Sequence, residues 1–215
     1  MKEYLKSWFA HPRMGRRVPL LLISVVLMGV CVSVFNRLGV GTDPYSCFNY
    51  GASRHLGMSL GNFQAIFGIG LLLIVILWDR EQIGIGTIAN MILVGYSADF
   101  FTWISGDWVP VEPEWGVRIL WFIPFALLFL ASVACYVVVG LGTSPYDSVP
   151  NILYKKVRAK RPGVPFKAVR IAYDTAFALL GALVGGPVGL MTVVCCVGLG
   201  PAIDWMAGWI RGVIE

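Results

Sequence analysis

Gly41-Thr42-Asp43-Pro44-Tyr45 recurs as Gly142-Thr143-Ser144-Pro145-Tyr146, about a hundred residues later and each time directly after a long apolar run. Two more matches follow in the same order. Phe63-x-Ala65 pairs with Phe166-x-Ala168, and Gly84, Thr87, Gly95 and Asp99 pair with Gly189, Thr192, Gly200 and Asp204. Three matched segments in register mark a duplicated unit.

The runs around these segments set the class. Of the 215 residues 57% are hydrophobic and 13% charged, against roughly a quarter charged in a soluble domain. The apolar residues come in blocks of about twenty, the length that crosses a hydrocarbon core of about 30 Å. Spans are expected near 18–38, 63–78, 83–104, 118–139, 166–184 and 188–209. The first is too long for a signal peptide's apolar core, and no small-x-small cleavage site follows it. The fold class is therefore an all-α integral membrane protein, with six transmembrane helices in one membrane domain over residues 1–215. The two units cover 18–104 and 118–209. Because each holds an odd number of spans, the second enters the membrane from the opposite side, giving inverted repeats.

Lysine and arginine, retained in short cytoplasmic loops, fix the orientation. Lys2, Lys6, Arg13, Arg16 and Arg17 precede the first span, Arg80 follows the second, Lys155, Lys156, Arg158, Lys160 and Arg161 follow the fourth, and Arg211 follows the sixth. All fall on one side if both termini are cytoplasmic. Tryptophan, which favours the membrane boundary, agrees: Trp8, Trp78, Trp205 and Trp209 mark the inner boundary, and Trp103, Trp108, Trp115 and Trp121 the outer one. The net charge of +5 is explained by these loops, so no nucleic-acid partner is expected. The stretch from Lys155 to Lys167 is expected to meet anionic lipid.

Both GT[D/S]PY elements read as helix starts. Asp43 or Ser144 is the N-cap, Pro44 or Pro145 the first helical residue, and Asp147 a charge in the first turn. Such a short helix is either a capped interfacial helix or a re-entrant element with Thr42, Thr143, Tyr45 and Tyr146 facing a solute path. Deeper in the membrane, Asp174 lies about nine residues into the fifth span with Arg170 one turn away at i, i+4 spacing. An ionisable residue there is either half of a packing ion pair or a site for a proton or a cationic group. The equivalent positions in the second span are Phe67 and Leu71, which confines that charged pair to the second repeat. Asp99 and Asp204 are expected as gate or interface residues, and Asn90 and Cys195 as polar contacts at mid-membrane.

The five cysteines form no CxxC pair, and HExxH, GxSxG, Walker and His/Cys motifs are missing. No catalytic residue, metal or cofactor is expected, and no enzymatic activity.

From Gly39 to Trp205 the pattern resembles the YczE/YyaS/YitT group of bacterial membrane proteins. The likeness rests on G-x-G-x-x-P-x-D from Gly140 to Asp147, on Arg170 to Asp174, on the Gly185-Gly186-Pro187 turn, and on G-x-x-T-x7-G in the third and sixth spans. The first copy departs from it with Ser46 in place of Asp147. The resemblance implies the architecture and a bacterial inner membrane, and brings no substrate. The function expected is small-solute transport by alternating access, with proton coupling at Asp174. The alternative is a non-transporting subunit or scaffold that binds a partner protein or anionic lipid. The oligomeric state is left open, a dimer included.

Overall fold

The computed structural model describes residues 13–214. Lys2, Lys6 and Trp8, used above for orientation, lie outside the described residues. Among those described, the chain is all helical with no strand. The helices are α1 (Met14–Leu38), α2 (Pro44–His55), α3 (Leu60–Trp78), α4 (Ile85–Ser105), α5 (Trp115–Val139), α6 (Pro145–Lys160), α7 (Phe166–Leu183) and α8 (Leu190–Ile214), with a short 3-10 turn at Arg80–Gln82. The order long, short, long, long thus occurs twice.

Local chemistry sets the boundaries. α1 and α5 each end on a left-handed glycine, Gly39 and Gly140, both at φ 65°, the conformation that closes a helix with least steric cost. α2 and α6 begin at prolines behind side-chain caps. Asp43 accepts from the Ser46 amide at 3.0 Å, and Ser144 Oγ from the Asp147 amide at 3.1 Å.

Three helices, α1, α3 and α5, are long and apolar enough to cross a membrane; α8 is a fourth if its arms Leu190–Gly200 and Ala202–Gly212, bent by 61°, count as one. α4 and α7 stand where spans are expected and have 21 and 18 residues. They are more polar because they carry Thr87, Asn90 and Asp99, and Lys167, Arg170 and Asp174. Thr87, Asn90 and Asp174 are turned into the bundle. Large apolar side chains face outward instead, among them Leu73, Leu77, Phe100, Leu120 and Leu183, a surface that requires an apolar surround.

Contacts at helix ends give the directions. Arg17 Nη1, at the start of α1, donates to the Val139 carbonyl at the end of α5 at 2.8 Å, so α1 and α5 run antiparallel. Arg37, at the end of α1, donates to the Val109 carbonyl at 3.0 Å and to that of Gly106, both just beyond α4. α1 and α4 therefore run the same way. Asp99, near that end of α4, accepts from the amides of Leu60 at 3.2 Å and Gly61 at 2.7 Å, bringing the start of α3 to the same end.

The two halves are tied by bonds that occur twice with partners exchanged. Thr42 N donates to Pro187 O at 3.1 Å, as Thr143 N does to Gln82 O at 2.9 Å. Met191 N donates to Val40 O at 2.9 Å, as Gly86 N does to Leu141 O at 2.7 Å. Thr192 Oγ1 donates to Thr42 O, and Thr87 Oγ1 to Thr143 O, each at 2.7 Å. The short helices cross over likewise, α2 packing on α7 and α6 on α3. In lipid, helices gain little from hydrophobic burial against one another, and close backbone approach with shared hydrogen bonds takes over.

That approach needs glycine at Gly142, which has φ +112° and whose added Cβ would stand 2.7 Å from Gly84 Cα. Gly57 also has positive φ, +63°, but faces open space. Gly142→Ala is therefore expected to abolish recovery of monodisperse protein in detergent. Gly57→Ala, bearing only conformational strain of about 1–2 kcal/mol, is expected to retain it. Equal recovery of the two variants would refute the close-approach account.

Candidate functional site

The short helices start against each other. Tyr45 and Tyr146, each one residue beyond its helix-opening proline, meet with ring centroids 4.7 Å apart and planes inclined at 35°. Phe67 and Phe177 complete an aromatic layer around them, at 6.2 Å from Tyr45 and 5.0 Å from Tyr146 respectively.

Beside this layer lies the charged cluster. Asp174, 3% exposed, accepts from Tyr146 Oη at 2.6 Å and from Arg170 Nε at 2.8 Å. Arg170 Nη1 is also 2.8 Å from Asp147 Oδ1, and Asp147 Oδ2 accepts from Ser144 Oγ at 2.6 Å. The i, i+4 pair read from the sequence is thus one side of a three-residue cluster, Asp147–Arg170–Asp174. Asp147, expected as a first-turn charge, reaches across from α6 to α7. One guanidinium serves two carboxylates, and the cluster keeps a formal charge of −1.

The cluster opens onto a cavity of about 770 Å3 between the halves. Its walls take both members of several matched pairs: Tyr45 with Tyr146, Asp43 with Ser144, Ser46 with Asp147, Asn90 with Cys195, and Gln64 with Lys167. The Arg170–Asp174 pair belongs to the second half alone, but the walls do not, and Asp43 and Glu81 of the first half add carboxylates to them. Thr143 lines the cavity. Thr42 does not share that lining; it is fully buried, with its carbonyl bound to Thr192.

The two remaining candidates behave differently. Asp99 clamps the first turn of α3, and near it Gly95 packs so closely that an added Cβ would lie 2.8 Å from Gly61 Cα. Its counterpart Asp204 is exposed and lines the cavity, as do Phe166 and Lys167 of the first turn of α7. There the first turn of α7 has no side-chain cap, and Gly200 faces open space. The Asp99 end is thus pinned by two hydrogen bonds, and the start of α7 at the matching end has no side-chain cap.

Gln64 escaped the sequence reading. It is 1% exposed, and neither of its amide heteroatoms has a hydrogen-bond partner. A polar residue inside the otherwise apolar run of α3 was the available signal.

Outside the bundle, the basic end of α6 is partly engaged. Lys155 Nζ lies 2.6 Å from Asp79, and Lys156 Nζ sits 3.4 Å from the Trp78 ring centroid. The hydrogen bond from Lys155 holds the Asp79 carboxyl below its ordinary range. The contact therefore holds α6 to α3 above the ordinary carboxylate range and is lost as acid protonates Asp79. Arg158, Lys160, Arg161 and Lys167 remain exposed.

Comparison with known proteins finds uncharacterised relatives, one of them named as a membrane protein. Over 173 residues the chain is 26% identical to the uncharacterized membrane protein YczE of Bacillus subtilis (strain 168), covering 80% of this chain and 76% of that protein. It is 23% identical over 178 residues to the uncharacterized protein YyaS of the same organism, covering 82% and 85%. An uncharacterized protein of Haemophilus influenzae is 21% identical over 192 residues, covering 88% and 83%. No solved structure matches the chain. Residues 15–208 match the model of a family of unknown function, DUF6198, and the chain, a membrane protein, belongs to that family.

Proposed function

We propose that the protein is a small-solute transporter of the bacterial inner membrane, working by alternating access between two inverted repeats of three spans each. The observation that carries this reading is the cavity, lined from both halves by matched residues. A solute site at the interface of two repeats is the arrangement that inverted-repeat transporters share. The opposed directions of α1 and α5, and the exchanged hydrogen bonds, support inversion. The basic loops support cytoplasmic termini, which makes the Asp99 end external and the Asp204 end internal. The structure then corresponds to an inward-open state. The protein carries out no chemical conversion, and Arg158, Lys160, Arg161 and Lys167 contact anionic lipid at the inner boundary.

Asp174 is the proton site of this reading. It bonds to Arg170 of its own helix and to Tyr146 of α6, and lies near enough to feel Tyr173, Asp147 of α6, Asp43 of α2, and Cys195 and Cys196 of α8 electrostatically. Metabolite profiling of a deletion strain, followed by uptake in proteoliposomes, identifies the solute. With that solute, Asp174→Asn is expected to lower proton-driven uptake at least tenfold while solute counterflow persists. Uptake by the variant that still follows an imposed pH gradient would eliminate Asp174 as the coupling site. Failure of the wild-type protein to move any solute accumulated or lost by the deletion strain would favour the non-transporting subunit.

A further inference from the structure

Resting on the cavity as the solute site, we infer that its ligand is a small organic cation, a primary ammonium on a short carbon body. It is held by Asp43 and the Gln64 amide beside the ring of Tyr45.

Charge comes first. Among the described residues five carboxylates and two cations line the cavity, and one of the cations, Arg170, is bound to both Asp147 and Asp174. The excess stays negative with Lys167 counted, and that lysine is exposed. Helix N-termini are the usual anion sites of discontinuous transporter helices. Here both are already answered within their own first turns, α2 by Asp43 on the Ser46 amide and α6 by Ser144 on the Asp147 amide. An incoming carboxylate or phosphate would meet carboxylates where it needs donors.

Gln64 is the independent sign that something polar binds. A buried amide with neither donor nor acceptor satisfied is costly. Gln64 holds that position in the cavity wall, at 1% exposure. An ammonium offers N–H groups to its oxygen and to Asp43, and Tyr45 in the same wall has a ring of the kind that attracts cations, while the Tyr146 ring already has the Arg170 guanidinium 5.6 Å from its centroid. The carbon body has Val32, Val94 and Val133 to rest on.

The test compares charge isosteres on the intact protein in detergent. Butylammonium and butyrate, at equal ionic strength, are titrated calorimetrically against wild-type protein and against Gln64→Met, which keeps the side chain's length and removes both amide atoms. Saturable binding of butylammonium, at least tenfold tighter than butyrate and at least tenfold weaker in Gln64→Met, is the expected result. Butyrate binding as tightly as butylammonium, or no saturable binding of either, would overturn the inference on wild-type protein alone, whatever the variant does. Binding is read at equilibrium and transport by flux, so the two readings fail separately. Cation binding without flux would remove the transporter and keep the site, while flux of an anionic solute would keep the transporter and remove this ligand class.

Discussion

Arg170→Met is expected to destabilise the protein by about 3–5 kcal/mol, the range for deleting one partner of a buried charge cluster. Arg170 bridges two carboxylates, Asp174 with a side chain 4% exposed and Asp147 at 34%. Without it neither carboxylate has a cation in contact, and most of the cost falls at Asp174, the more deeply buried of the two. Asp147, a third exposed, is screened by solvent and contributes far less. The charge can be separated from the packing: Arg170→Met/Asp174→Leu replaces the α7 pair by apolar groups of similar size, and such replacements are close to neutral. The double variant is expected to recover most of the loss. Arg170→Lys should fall between, since one ammonium cannot offer the planar fork that meets two carboxylates at once. Thermal unfolding in detergent reads all three, and an Arg170→Met variant within about 0.5 kcal/mol of wild type would remove the cluster from the account of stability.

Much of this fold was legible because its signals are local. The expected span at 63–78 is α3, Leu60–Trp78, and that at 118–139 is α5, Trp115–Val139. Apolar length, a terminal glycine and a capped proline need only neighbours in the chain. The Arg170–Asp174 contact was readable for the same reason, since i, i+4 spacing fixes it on one helix face. Asp147 was read no further than its own helix because its partner lies on α7, and nothing in PYDSVP states which helix will face it. The exchange of bonds between halves was equally hidden. Thr87 and Thr192 were found as a matched pair, but repetition does not say that each serves the carbonyl of the other half's threonine. Gln64 was passed over because a lone polar residue in an apolar run does not reveal whether it has a partner.

In the transporter reading, Asp99→Ala and Asp204→Ala are expected to shift the protein in opposite directions. In the inward-open state Asp99 holds the start of α3 through two amide hydrogen bonds, at 3.2 and 2.7 Å, while Asp204 makes no such bond and the start of α7 is uncapped. Hydrogen bonds to a charged acceptor contribute about 1.5–3 kcal/mol each, and every 1.4 kcal/mol is about a tenfold change in population. Removing Asp99 weakens the state in which the outer end is shut. Removing Asp204 weakens the opposite state, in which the repeats exchange conformations and Asp204 caps α7 as Asp99 caps α3. A reporter is available in Ser46→Cys, a near-isosteric change in the cavity wall, placed in a background lacking Cys31, Cys47, Cys135, Cys195 and Cys196. Labelling from outside with an impermeant maleimide is expected to rise at least tenfold with Asp99→Ala and to fall with Asp204→Ala. The two together should return it toward the starting value, because each removes the same contact from opposite states. If both substitutions raise labelling alike, the aspartates are simple packing residues and the equivalence of the two ends is structural history; opposite signs require two states related by exchange of the repeats.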